Sequence, residues 1–290
     1  MARQAVHNAP MPDVPLSEVA SLARRNDPDR FLCALFAPAE ARETLFLLTA
    51  FNHELARART ATSNIMTALI RLQWWRDALG EVAEGNPVRR HEVTTPLAEA
   101  VRARKLAVPD LLAMVDAREA EIEEEMPSKE ALMAFLRGSS GGYAVAAGRV
   151  LGAPPAAMPG LQAAGTVYGM AVLLRGIAAT VMQGRCLLPT DMLEERGLSA
   201  ADVVRDPRAP AVAEVGQALA RQTLQLWAEA RPGLGKALPR HAVAAALPAR
   251  LGVRDLRRIL AKGWDPGQPP PPRGTTDRLS VTWAGWRGRV

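Results

Sequence analysis

Apolar residues along this chain return every third or fourth position and almost never alternate, which restricts the fold to packed helices. From Ala39 the positions Leu45, Leu48, Thr49, Phe51 and Leu55 share one stripe, predicting a helix to Arg59. After a break at 60–64, Ile65, Leu69, Leu72, Trp75 and Leu79 form a second stripe, ended by Gly85-Asn86-Pro87. Short helices are expected at 16–25, with Ser17 near the start, and at 30–36, where Asp27 or Asp29 is the N-cap. Longer ones are expected at 95–105, 109–126, 128–151 and 161–182, the last stopped by Gly184. Ser199-Ala-Ala-Asp202 reads as a capping box, and further helices are expected at 211–230, 239–249 and 253–262.

These elements predict one all-α domain, with a lead-in segment 1–26 and a body at 27–265. The four consecutive prolines within 266–273 cannot be helical and predict an extended linker. An amphipathic segment at 274–290 follows and carries Trp283 and Trp286. Cys33 and Cys186 are too few for a disulfide framework, and His7, His53, His91 and His241 are too scattered for a local ligand pair. The first residues lack the apolar core of a secretory signal. The apolar run 171–182 is cut by Arg175 and too short for a bilayer, so a cytoplasmic location is expected. Basic residues exceed acidic ones, 36 to 30, but they are dispersed and no nucleic-acid motif is visible.

Three segments carry a resemblance. Phe46-Leu-Leu-Thr-Ala-Phe51-Asn52 is similar to the run that leads into the first aspartate motif of the squalene/phytoene synthases. Arg71-Leu-Gln-Trp-Trp-Arg-Asp-Ala-Leu79 resembles a second helix of that family. The most specific is Tyr168 to Pro189, whose Gly184-Arg185-Cys-Leu-Leu-Pro189 ending stands in register with Leu174-Arg175. The resemblance spans roughly 27–265 and implies an isoprenoid-synthase-like helical bundle around a central cavity. Family members condense two isoprenyl diphosphates, with Mg²⁺ held by two DxxxD motifs on facing helices. Spacing of i, i+4 puts both carboxylates of a motif on one helix face.

In that register the first pair of aspartates falls on Ala56 and Thr60, and the second on Gly176 and Thr180. No carboxylate stands at any of the four. Glu54 lies two residues before Ala56, about 200° round a helix, and faces elsewhere. Between Tyr168 and Arg185 there is no Asp or Glu at all. The expected cofactor is therefore none, and Mg²⁺ enters only if the chain is an enzyme after all. Scaffold segments without the catalytic carboxylates resemble the non-catalytic branch of the family, which acts in the assembly of respiratory complex I. That resemblance implies complex I subunits or assembly intermediates as partners. The alternatives are a divergent prenyltransferase of isoprenoid biosynthesis and an isoprenoid- or lipid-binding protein.

Several residues keep two readings. Arg57, Arg175 and Arg185 line an anion-binding remnant of the substrate cavity, or pair with local carboxylates such as Asp191. Tyr143 lines the cavity or packs in the core. Gly165, Gly169 and Gly176 make room for a lipid-like tail or let helices approach closely. His53 shares a helix face with Arg57 but has nothing to orient it as a base. The acidic run Glu121, Glu123, Glu124 and Glu125 is a solvated face or a partner contact. Trp283 and Trp286 touch the inner face of a membrane, or their helix packs back on the domain.

Overall fold

The computed structural model describes residues 16–62, 64–123 and 125–290. The first fifteen residues, with the signal reading and part of the lead-in, lie outside these, as do Ser63 and Glu124. Among the described residues the chain is helical, with one isolated bridge between Met126 and Pro189. In chain order the helices are α1 Glu18–Asn26, α2 Pro28–Ala34, α3 Ala39–Thr60, α4 Ile65–Ala83, α5 Thr94–Arg102, α6 Val108–Ala117, α7 Lys129–Leu136 and α8 Gly142–Val150. They continue with α9 Met158–Arg175, α10 Ile177–Met182, α11 Thr190–Glu194, α12 Ala200–Arg205, α13 Pro210–Ala237, α14 Pro248–Ile259 and α15 Thr275–Arg287.

Local chemistry sets the starts. Ser17, Asp27, Asn64 and Ser128 each accept a backbone N–H from the first turn of α1, α2, α4 and α7. Ser199 and Asp202 form the reciprocal capping box of α12. The helix expected at 109–126 ends at Ala117 and tightens into a 3₁₀ turn, where Arg118 turns inward to Asn52 Oδ1 at 3.1 Å. The helix expected at 128–151 contains a π-turn at Arg137–Gly141. Its extra residue rotates α8 relative to α7, so that Phe135 and Tyr143 face different partners. The helix expected at 161–182 breaks at Gly176 into α9 and α10.

α9 is the axis of the bundle. It packs against α8, α13, α14 and the π-turn, and is buried on nearly every side from Leu161 to Leu174. With the preceding turn, Pro155–Arg175 is long and apolar enough to cross a membrane, yet 67% of its most apolar 18 residues are buried inside the fold. Its neighbours, not lipid, take up the apolar surface. Phe51, Leu48, Leu72 and Leu79 are buried completely, each contributing about 1.5–3 kcal/mol.

The domain limits expected at 26/27 and 265/266 do not separate packing units. α1 lays Val19, Ala20, Leu22 and Ala23 into the main core against α3. α15 buries Val281 and Ala284 with Cys33, Tyr168, Leu247 and Leu251. The proline-rich stretch is tied down rather than free: Arg175 donates to the Pro271 carbonyl at 3.1 Å, and Arg273 reaches Asp29 at 2.7 Å.

Candidate functional site

The four family metal-motif positions sit near the ends of α3 and α9–α10. The two threonines, Thr60 and Thr180, are held in the same way. The Thr60 hydroxyl donates to the Ala56 carbonyl at 3.3 Å, and the Thr180 hydroxyl donates to the Gly176 carbonyl at 3.0 Å. Each hydroxyl folds back on its own helix, one turn N-terminal, instead of projecting as a ligand.

Beside Thr60 opens a cavity of about 700 Å³, walled by the end of α3, the turn Gln183–Cys186 and the start of α12. Arg59 and Arg185 line it together, and both are buried. Arg59 donates to the Ile122 and Thr62 carbonyls at 3.3 and 2.8 Å. Arg185 donates to the Glu121 carbonyl, and its Nε is buried without a partner. Burial lowers the Arg185 pKa, and the neighbouring Arg59 lowers it further. Glu125 is the carboxylate in this wall. A concave, arginine-rich site suits an anion.

The other candidates lie elsewhere. Arg57 is half exposed and pairs with Glu54 at 2.9 Å, beside a separate cleft with Trp74 and His91. His53 is half-buried, and burial lowers its pKa. Arg175 is not in the wall of the Thr60 cavity: it pairs with Asp255 at 2.8 Å. Asp191, the partner expected for Arg175 or Arg185, instead accepts the Lys129 and Met192 backbone N–H groups. Gly165 and Gly169 give close helix packing, since a Cβ on Gly165 would collide with the Ser140 carbonyl oxygen.

Tyr143 sits where α2, α3, α8 and α9 converge. Its hydroxyl shares a 2.8 Å hydrogen bond with Thr49 Oγ1. The Arg30 guanidinium lies 4.1 Å from the Tyr143 ring centroid and 5.0 Å from that of Tyr168. Burial opposes the Arg30 charge, and Asp27 with the two tyrosines more than offsets that, so its pKa is raised. Sequence reasoning overlooked Arg30, although the Asp27-Pro28-Asp29 cap beside it signals a charged turn. Burial pushes the Tyr143 pKa from 10.0 to about 12, so the fold favours the neutral phenol. That contribution is complete below pH 10 and is lost as pH rises toward 12. Tyr143→Phe therefore flattens the loss of stability above pH 10 in urea titrations, while lowering stability at pH 7 by about 1 kcal/mol through the lost Thr49 bond.

The squalene/phytoene synthase family profile matches residues 23–283. The chain belongs to the squalene/phytoene synthase family. Two solved structures share its fold. A squalene synthase from Alicyclobacillus acidocaldarius superposes with a TM-score of 0.72 at 19% identity, over 86% of this chain and 94% of that one. A dehydrosqualene synthase in complex with ligand superposes with a TM-score of 0.77 at 14% identity, over 93% and 94%. In sequence, the chain is 27% identical over 264 residues to the Mus musculus protein named NADH dehydrogenase (ubiquinone) complex I, assembly factor 6, covering 90% of this chain and 78% of that protein. The Homo sapiens protein of the same name is 34% identical over 104 residues, 36% of this chain and 31% of that protein.

At the four positions that the resemblance assigns to magnesium ligands, the groups present do not fit that ion. The motif positions offer a methyl, a glycine and two hydroxyls committed to helix carbonyls. The adjoining cavity presents two arginines against one carboxylate, Glu125, among the described residues. Among the described residues, no three His, Cys, Asp or Glu side chains gather as a metal-binding group.

Proposed function

We propose that the chain is a non-catalytic member of the family that serves the assembly of respiratory complex I, working from the cytoplasmic side of the membrane. The observation that carries this reading is the alignment to the mouse assembly factor across 90% of the chain. The donor chemistry at Ala56, Thr60, Gly176 and Thr180 supports it, because leaving-group activation needs metal-bound diphosphate oxygens. The chain then acts as a scaffold whose surfaces, not a reaction centre, carry the role.

Two measurements test this. Deleting the gene in its own host lowers the amount of mature complex I on native gels, and restoring the gene recovers it. Unchanged complex I abundance would refute the assembly role. Purified protein with Mg²⁺ and farnesyl diphosphate releases no more diphosphate than a protein-free control. Release well above that control would reinstate the prenyltransferase reading.

A second reading has its own observation. The cavity beside Thr60, with Arg59 and Arg185 in its wall, is large enough for an anionic isoprenoid head and part of its chain. Calorimetric titration with farnesyl diphosphate in the absence of Mg²⁺ tests it. Saturable heat without turnover would make the chain a ligand-sensing scaffold.

A further inference from the structure

α15 presents two opposite faces. Asp277, Val281 and Ala284 are buried against the domain. Leu279, Trp283 and Trp286 project outward at i, i+4 and i+7, exposed by 65%, 54% and 65%. The two indole rings lie 5.6 Å apart, and Arg287 sits 4.9 Å over the Trp283 ring. Exposed tryptophans in a row are expensive in water unless something covers them.

Next to this face, α13, α14 and α15 enclose a groove of about 700 Å³. Arg231, Arg250, Arg254, Arg257 and Arg289 line it, and no Asp or Glu does. Arg254 is neutralised by Asp277 at 2.7 Å. The other four make no salt bridge to Asp or Glu among the described residues. Arg231 donates to a main-chain oxygen of Val290, the last residue of the sequence, at 3.1 Å, and Arg250 Nε is buried without a hydrogen-bond partner. The floor beneath them is apolar, with Leu224, Trp227 and Val253. Cationic walls over an apolar floor match a phosphate joined to a hydrocarbon chain.

We propose that α15 and this groove form a docking surface for an anionic phospholipid bilayer. Trp283 and Trp286 enter the interfacial layer, as amphipathic indoles do, and the groove arginines engage lipid phosphates. An acidic protein surface would satisfy the arginines but leaves the apolar groove floor unexplained. The inference goes beyond the assembly role and does not depend on it, because it is read on purified protein.

The test is flotation of the full chain with vesicles of phosphatidylcholine alone and of phosphatidylcholine mixed equally with phosphatidylglycerol. Binding is expected to the mixed vesicles, to weaken with salt and to be minor with phosphatidylcholine alone. Trp283→Ala with Trp286→Ala weakens it by at least about tenfold. Arg231→Gln with Arg257→Gln, both exposed, weakens it about fivefold per arginine. Thermal midpoints establish that both double variants remain folded. Equal binding to both vesicle types, or wild-type binding by either folded variant, overturns the proposal. Saturable binding of inorganic phosphate without vesicle binding assigns the groove to a free anion and also overturns it. No binding to any vesicle assigns the face to a protein partner, with the same consequence.

Discussion

Replacing Asp255 by Asn lowers the stability of this chain by about 3–5 kcal/mol, and its thermal midpoint by about 10 °C. Asp255 is 1% exposed, and three arginines converge on it: Arg175 at 2.8 Å, Arg258 at 3.0 Å and Arg273 at 2.6 Å. They arrive from α9, from α14 itself and from the proline-rich stretch, so one carboxylate fastens three parts of the chain. Asn keeps the shape and removes the charge, leaving two partly buried guanidiniums, Arg175 and Arg273, short of a counter-ion at this point. Arg258 is 44% exposed and also reaches Asp277 at 2.6 Å, so Arg258→Met changes stability by less than about 1 kcal/mol. Thermal melts of the two variants check the contrast; similar midpoints would mean that the cluster adds nothing beyond surface pairing. Acid acts on the same region. Arg258 and Arg254 outweigh the effect of burial and hold the Asp277 carboxyl well below its ordinary range. The stability this gives is full above pH 3.8 and drains away as pH falls below it.

Gly165→Ala destabilises by about 2–3 kcal/mol, although Ala is the better helix former by about 1 kcal/mol. The added methyl would run into the Ser140 carbonyl oxygen and lie 2.8 Å from Gly141 Cα, both backbone atoms that cannot rotate aside. The π-turn would have to move away from α9, opening a buried contact of the bundle. Gly80, inside α4, is the control. A methyl there would have no neighbour within 4 Å, so Gly80→Ala stabilises by up to about 1 kcal/mol. Urea unfolding of both variants gives the two signs. Stabilisation by Gly165→Ala would mean that the helices have room to spare.

Local signals were legible in the sequence, and long-range ones were not. The stripes of α3 and α4, the Ser17 and Asp27 caps and the Ser199 box each rest on residues within one or two turns. Pro248, which opens α14, was a readable start signal that the expected 239–249 helix ran across. The pairs Arg175–Asp255 and Arg273–Asp29 join residues 80 and 244 positions apart, and no periodicity encodes them. The candidate site shows the same division. The expectation at Ala56, Thr60, Gly176 and Thr180 rests on register alone, whereas the meeting of Arg59 and Arg185 in one wall depended on how α3 and the turn after α10 pack.

The tie between Asp29 and Arg273 also bears on how the chain comes to be folded. During synthesis α2 emerges early, and Asp29 must wait 244 residues for its guanidinium partner. Until then α14 lacks Arg273 at Asp255, and the apolar patch around Cys33, Tyr168 and Leu251 lacks α15. A nascent chain therefore leaves that patch uncovered until α15 leaves the ribosome, and the loop between Asp29 and Arg273 closes only after that. Ribosome-bound chains halted before residue 273 should accordingly be cut by protease at sites that the released protein protects.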